Sequence, residues 1–157
     1  MKKIILNILA LVFGFRFRGL LQLANIAEGT HEGSITKLVD AALTTRYLLV
    51  KFGTDVDHIA ANGASDRPLG ICTDEAAAAE DPVNVNLLGS AKETQKVVAS
   101  EAIAYDVDVF TAASGKVQTE PVVAGTYYKV GRSMQAASTD GDVMEIDPCP
   151  AIAVEVS

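Results

Sequence analysis

Tryptophan is absent from this 157-residue chain, and nine tyrosines and phenylalanines are its whole aromatic complement, so the apolar 49% is mainly aliphatic. Cysteine is nearly absent too: Cys72 and Cys149 match no metal-ligand spacing and are too few for a disulfide scaffold, so both are expected to be reduced, small buried hydrophobes. Neither His31 nor His58, the only histidines, sits in a motif that would make a nucleophile's base or a zinc ligand. No GxGxxG or GxxxxGK[ST] loop is present to cradle a phosphate. No twelve-residue calcium loop occurs either, since Asp55-Val56-Asp57 lacks the later ligands and the glycine. The many acidic pairs fall at turns, where an aspartate caps its own backbone. These gaps predict a chain that is not an enzyme and that carries no cofactor and no metal.

Positive charge is scarce as well, and unevenly placed. Residues 1–27 hold Lys2, Lys3, Arg16 and Arg18 and no acid; residues 28–157 hold nine basic and twenty acidic side chains, a net of −11 against −7 for the chain. An acidic body argues against nucleic acid as the partner of that body. The apolar run from Ile4 to Phe15 is shorter than the roughly 20 residues a membrane helix needs, and Phe-Arg-Phe-Arg follows where a signal peptide would place small residues. Within this basic, apolar arm, Ile4, Ile5, Ile8, Leu9 and Val12 have helical spacing, whereas Phe13, Phe15 and Phe17 alternate with Gly14, Arg16 and Arg18 as in a strand. Such a segment needs a cover. It is expected to dock on a neighbouring subunit, as by adding a strand to an exposed sheet edge, with Phe13, Phe15, Arg16, Phe17 and Arg18 as the partner interface. Packing on its own domain is the plainer alternative.

What is present is a repeat. LGICTDEAAAAEDPVNVN (Leu69–Asn86) aligns without gaps, 61 residues on, with VGRSMQAASTDGDVMEID (Val130–Asp147). Gly70 falls on Gly131, Ala76 on Ala137, Asp81 on Asp142, Val83 on Met144 and Val85 on Ile146; Val56 falls on Val117. Each copy has an apolar-Gly strand that lets another backbone approach, a small-residue run, a polar turn and an alternating strand. Two similar β units packed as one body are implied, with an internal two-fold relationship.

The remaining chain reads as strands. Ile35 to Leu43 permits a short helix or, with Thr44-Thr45, a strand and loop. Arg46–Phe52, Pro68–Thr73, Pro82–Leu88, Thr94–Ala99, Val107–Thr111, Lys116–Thr119, Thr126–Ser133, Val143–Asp147 and Ala151–Val156 are predicted strands between Gly, Asp and Pro turns. The prediction is an all-β protein: an extended arm (1–27), a linker (28–34) and a small β-barrel or β-sandwich of about ten short strands (35–157).

From Arg46 to Cys149, about two thirds of the chain, the sequence resembles the cement, or head decoration, proteins of tailed bacteriophage capsids. LGICTDEAAAAEDPVNVNLLG, VFTAASGKVQTEP and GTYYKVGRSMQAASTDGDVMEID carry the likeness, with Ser114-Gly115-Lys116 where Asp-Gly-Lys is usual and Tyr105-Asp106 where Gly-Asp is. The resemblance implies a structural virion protein, made in the host cytoplasm, that sits on the capsid exterior and locks capsomers together. Its partners would be the major capsid protein and further copies of itself, a trimer foremost, with no nucleic acid and no membrane. The alternatives are a secreted or membrane-surface β-domain with an N-terminal anchor, and a phage tail or fibre component.

Overall fold

The structure, a computed structural model, describes residues 31–157 with the exception of Ala91. Ten strands follow in order: β1 (Ser34–Val39), β2 (Leu49–Phe52), β3 (His58–Ala61), β4 (Gly70–Cys72), β5 (Pro82–Leu87), β6 (Gln95–Val98), β7 (Asp108–Thr111), β8 (Val117–Gln118), β9 (Gly125–Ser133) and β10 (Val143–Val156). The only helical piece among the described residues is the single 3-10 turn Ala113–Gly115 between β7 and β8. The stretch from Ile35 that permitted a helix is a strand, because its residues pair with both β3 and β5. β10 joins two predicted strands into one, crossing Pro148 and Pro150 through a register shift between Pro148 and Ile152.

β1–β5 close into a barrel in the order β1-β3-β2-β4-β5, and β6–β10 form a five-stranded sheet in the order β6-β10-β9-β7-β8. A parallel bridge from Ala99 to Val117 brings β8 back beside the end of β6. Matching β1 with β6, β2 with β7, β3 with β8, β4 with β9 and β5 with β10 gives both units the same cyclic order.

The repeat is therefore structural, and its hydrogen bonds recur. Leu43 and Ala76 exchange backbone bonds across one turn, and Ile103 and Ala137 exchange the same pair in the second unit. Val39 accepts from the Glu80 N–H as Ala99 accepts from that of Gly141, each at 2.9 Å. Asp81 and Asp142 each cap their own turn, accepting from Ala78 N–H at 2.9 Å and Ser138 N–H at 2.7 Å. Gly70 and Gly131 hold the tightest shared position: an added Cβ would lie 2.3 Å from the Asn86 carbonyl oxygen and 2.5 Å from that of Asp147.

Two apolar clusters fill the body. One lies within the first barrel, around Val39, Val50, Ile59, Val83 and Val85. The other gathers the interior of the second unit with Leu49 and Ile71, which point out of the first barrel and into the joint. In the second unit the matching outward pair is Asp108 and Arg132, which stay exposed. Leu49↔Ile71 and Asp108↔Arg132 occupy one register. Whether that position is apolar or charged follows from whether the other unit covers it. The joint is closed by the Gly115 N–H on the Asn62 carbonyl at 2.7 Å, the Thr111 hydroxyl on the Ala64 carbonyl, and the Asn86 amide on Gln95 at 2.7 Å.

Candidate functional site

The five residues expected at a partner interface, Phe13, Phe15, Arg16, Phe17 and Arg18, lie outside the described residues. The side chains with the chemistry for catalysis or metal binding are placed as follows. His31 is exposed ahead of β1. Cys72 is buried in β4, where desolvation raises its thiol pKa and keeps the sulfur protonated and unreactive. Cys149 is a second free thiol, raised likewise by burial. No group of three or more His, Cys, Asp or Glu is arranged to hold a metal ion among the described residues.

Among the described residues His58 is the most strongly perturbed group. As the first residue of β3 it meets Asp55 through Nδ1 at 2.7 Å and Glu80 through Nε2 at 3.1 Å. Its hydrogen bond to Asp55, then the one to Glu80, raises its pKa from 6.5 to about 9, so the imidazolium is the resting form. Asp55 is held below the usual carboxylate range, chiefly by the same bond. The second unit repeats the device with a permanent cation: Lys116, one residue before β8, meets Asp140 at 2.6 Å. Both pairs staple the start of the third strand to the turn that leads into the fifth. Glu80 holds a left-handed backbone (φ 67°) where the second unit has Gly141 (φ 89°). Such strain costs a non-glycine residue about 1 kcal/mol or more, and the contact with His58 gives a reason for keeping it. The arrangement is an ionic clamp between two turns, and a clamp of this kind acts on stability.

The sign follows from the shifts. A cation with a raised pKa stabilises the fold fully below about 6.5, and the contribution is lost as pH rises through about 9. Asp55, with a lowered pKa, contributes above its ordinary value of 3.8 and less as pH falls through its folded value. The melting temperature is thus expected to decline between pH 7 and 10, and His58→Gln is expected to remove most of that decline. An unchanged slope in the variant would show that other groups set it.

Two surface features were not anticipated from sequence. An open cleft of about 630 Å³ lies where the first barrel meets β10, walled by Phe52, Pro68, Leu87, Leu88 and Pro150, with Arg67 among its lining residues. Its residues come from positions 51 to 151, so no local pattern announces it. The second feature is a two-stranded ribbon. β9 and β10 continue past the barrel from Lys129↔Ile152 to Gly125↔Val156, and β6 leaves β10 at Ile146. Ile152, Val154, Val156 and Tyr127 share one ribbon face by register. The predicted strand Ala151–Val156 located half of it, but the register alone shows that it projects.

The sequence model described as "Phage cement protein" matches residues 30–148. Among solved structures, the chain is similar to the head fiber gp8.5 N base in bacteriophage phi29, at 16% identity and a TM-score of 0.56, over 75% of this chain and 94% of that one. At that identity the likeness concerns the fold. No curated protein matches the sequence.

Proposed function

The chain belongs to the phage cement protein family, and from that premise we propose that it binds the outside of an assembled phage head and stabilises the contacts between shell subunits. The family match over residues 30–148 is the observation that carries this reading. Binding assembled lattice in preference to free subunits would stabilise the shell by mass action. A body of paired β units with an acidic exterior suits such a role, because it presents a rigid surface and does not adhere to nucleic acid. The protein acts as a structural component of the virion and not as an enzyme, with the major capsid protein as its partner and capsid-bound copies grouped as trimers.

The arm is assigned the shell contact, with Phe13, Phe15 and Phe17 as apolar anchors and Arg16 and Arg18 as the charged edge. An aromatic anchor that contributes about 1.4 kcal/mol weakens binding about tenfold when it is removed. Deleting residues 1–27 is therefore expected to lower occupancy on bare phage shells sharply in cosedimentation with copy counting. Unchanged occupancy would remove the arm from the interface, and failure of the full chain to bind shells at all would overturn the cement reading.

A second reading, a fibre component, is favoured by the shared fold with a head fiber base. Copy number separates the two: a cement protein covers the lattice in hundreds of copies per head, whereas a fibre component is expected in far fewer.

A further inference from the structure

The acidic body engages nearly all of its own cations. Of the nine lysines and arginines among the described residues, seven pair with a carboxylate. Lys96 instead stands over the Tyr47 ring, 5.6 Å from its centroid. Arg67 has neither kind of partner among the described residues, and it is exposed at the cleft between the first barrel and β10. Its neighbour Asp66 is committed elsewhere: the carboxylate accepts from Lys51 Nζ at 2.7 Å and from the Gly63 N–H at 3.0 Å. Asp66 is also the one acid lining the cleft, against the two cations Lys51 and Arg67. The cleft is therefore locally positive on a body whose charge is otherwise strongly negative.

The walls beside Arg67 are apolar and held in place. Phe52 closes β2 and is 53% exposed, and Leu88 directly follows β5. Gly89, at φ 85°, lets the chain after β5 lie against β10, since a Cβ there would stand 2.9 Å from the Pro150 ring. β6 leaves β10 at Ile146, but Pro148 and Pro150 carry no N–H, so this stretch of β10 offers no regular edge for an added strand. An occupant of the cleft is thus recognised by its side chains and not by its backbone. The volume of about 630 Å³ suits a few side chains. Apolar walls with one charged group are the arrangement that holds an amphipathic ligand in a fixed orientation.

We infer that the cleft takes a segment of the shell protein in which a carboxylate neighbours an apolar side chain, the apolar group seated between Phe52, Pro68 and Leu88 and the carboxylate on Arg67. The inference rests on the shell-binding reading above and gives that reading a contact surface on the β body. A guanidinium pairs with a carboxylate through two parallel N–H···O bonds, which fixes the direction of the segment as well as its charge. Seating the segment takes Phe52 out of water, the part an aromatic anchor plays at the centre of an interface. Residues 1–27, with four cations and no acid, lack the chemistry for this cleft.

The test uses the full chain and bare phage shells. Phenylglyoxal adds to accessible guanidinium groups, and peptide mass spectrometry reads its extent at Arg67. Arg67 is expected to react in the chain alone and to be strongly protected on shells. In cosedimentation, Arg67→Glu and Phe52→Ser are each expected to weaken shell binding at least about tenfold, with Arg67→Lys weakened less than Arg67→Glu. Arg46→Glu makes the same change of net charge outside the cleft and is expected to bind as the natural chain does. The substituted side chains are exposed. Circular dichroism checks that each variant stays folded, and Arg67→Ala is the milder change if Arg67→Glu does not.

A natural chain that binds shells while Arg67 stays reactive, or cleft variants that bind as well as it does, would overturn the cleft assignment and leave the shell-binding reading standing. An equal loss in Arg46→Glu would do the same, by tracing the effect to net charge. Protection of Arg67 in the chain alone would show that the chain itself or a second copy fills the cleft, and would also overturn the assignment. Absence of shell binding by the natural chain would overturn both.

Discussion

Gly70→Ala and Gly131→Ala are each expected to destabilise the protein by several kcal/mol. The added carbon would stand 2.3 Å from the Asn86 carbonyl oxygen or 2.5 Å from the Asp147 carbonyl oxygen. Overpacking a core by a methylene usually costs about 1–3 kcal/mol when side chains can yield. Here the obstacle is backbone, held in ladders on both sides: Gly70 pairs with Val50 and Leu87, and Gly131 with Val109 and Pro148. Relief means separating strands and breaking barrel hydrogen bonds. Denaturant unfolding gives the measurement. Gly141→Ala is the control: nothing lies within 4 Å of its added carbon, so its cost arises from the left-handed backbone (φ 89°) and is expected to be about 1 kcal/mol. Equal losses at all three positions would show that close strand approach is not what these glycines serve.

Ile71→Ala is expected to cost about 2–5 kcal/mol, whereas Arg132→Ala, at the matching position of the second unit, should cost well under about 1 kcal/mol. Ile71 is fully buried in the cluster that joins the two units. Removing three of its carbons forfeits their transfer out of water and leaves a cavity between the two units that the ladders prevent from collapsing. Arg132 faces solvent and pairs with Asp106, an exposed ion pair of small net value. A single cooperative unfolding transition is expected for the natural chain because the joint ties the two clusters together. Ile71→Asp would bury a charge there, and is expected to prevent folding or to split that transition in two. Similar losses for Ile71→Ala and Arg132→Ala would show that the joint contributes little.

Several elements were legible in the chain because their causes are local. Asp81 and Asp142 cap their own turns within four residues, and a polar side chain at such a turn declares itself. Strand β5 shows its burial by alternation, with Val83 and Val85 inside. The register of the repeat was visible because both glycines answer the same steric demand. The chain from Ile35 stayed ambiguous for the converse reason: apolar spacing there fits helix or strand, and its pairing partners are around 20 and 50 residues away.

The sequence by itself determined an all-β body built from two related units, its charge contrast with the arm, and the turns that set strand order, since each rests on periodicity or short-range backbone chemistry. Tertiary structure alone decided which outward face of a unit is core and which is surface. Leu49 and Ile71 read as ordinary strand residues until the second unit covers them, and Asp108 and Arg132 hold the same register in water. It alone also placed Phe52, Arg67 and Pro150 around one cleft and projected the β9–β10 ribbon beyond the barrel. Contacts of that kind join residues far apart in the chain, and no pattern within a single strand encodes them.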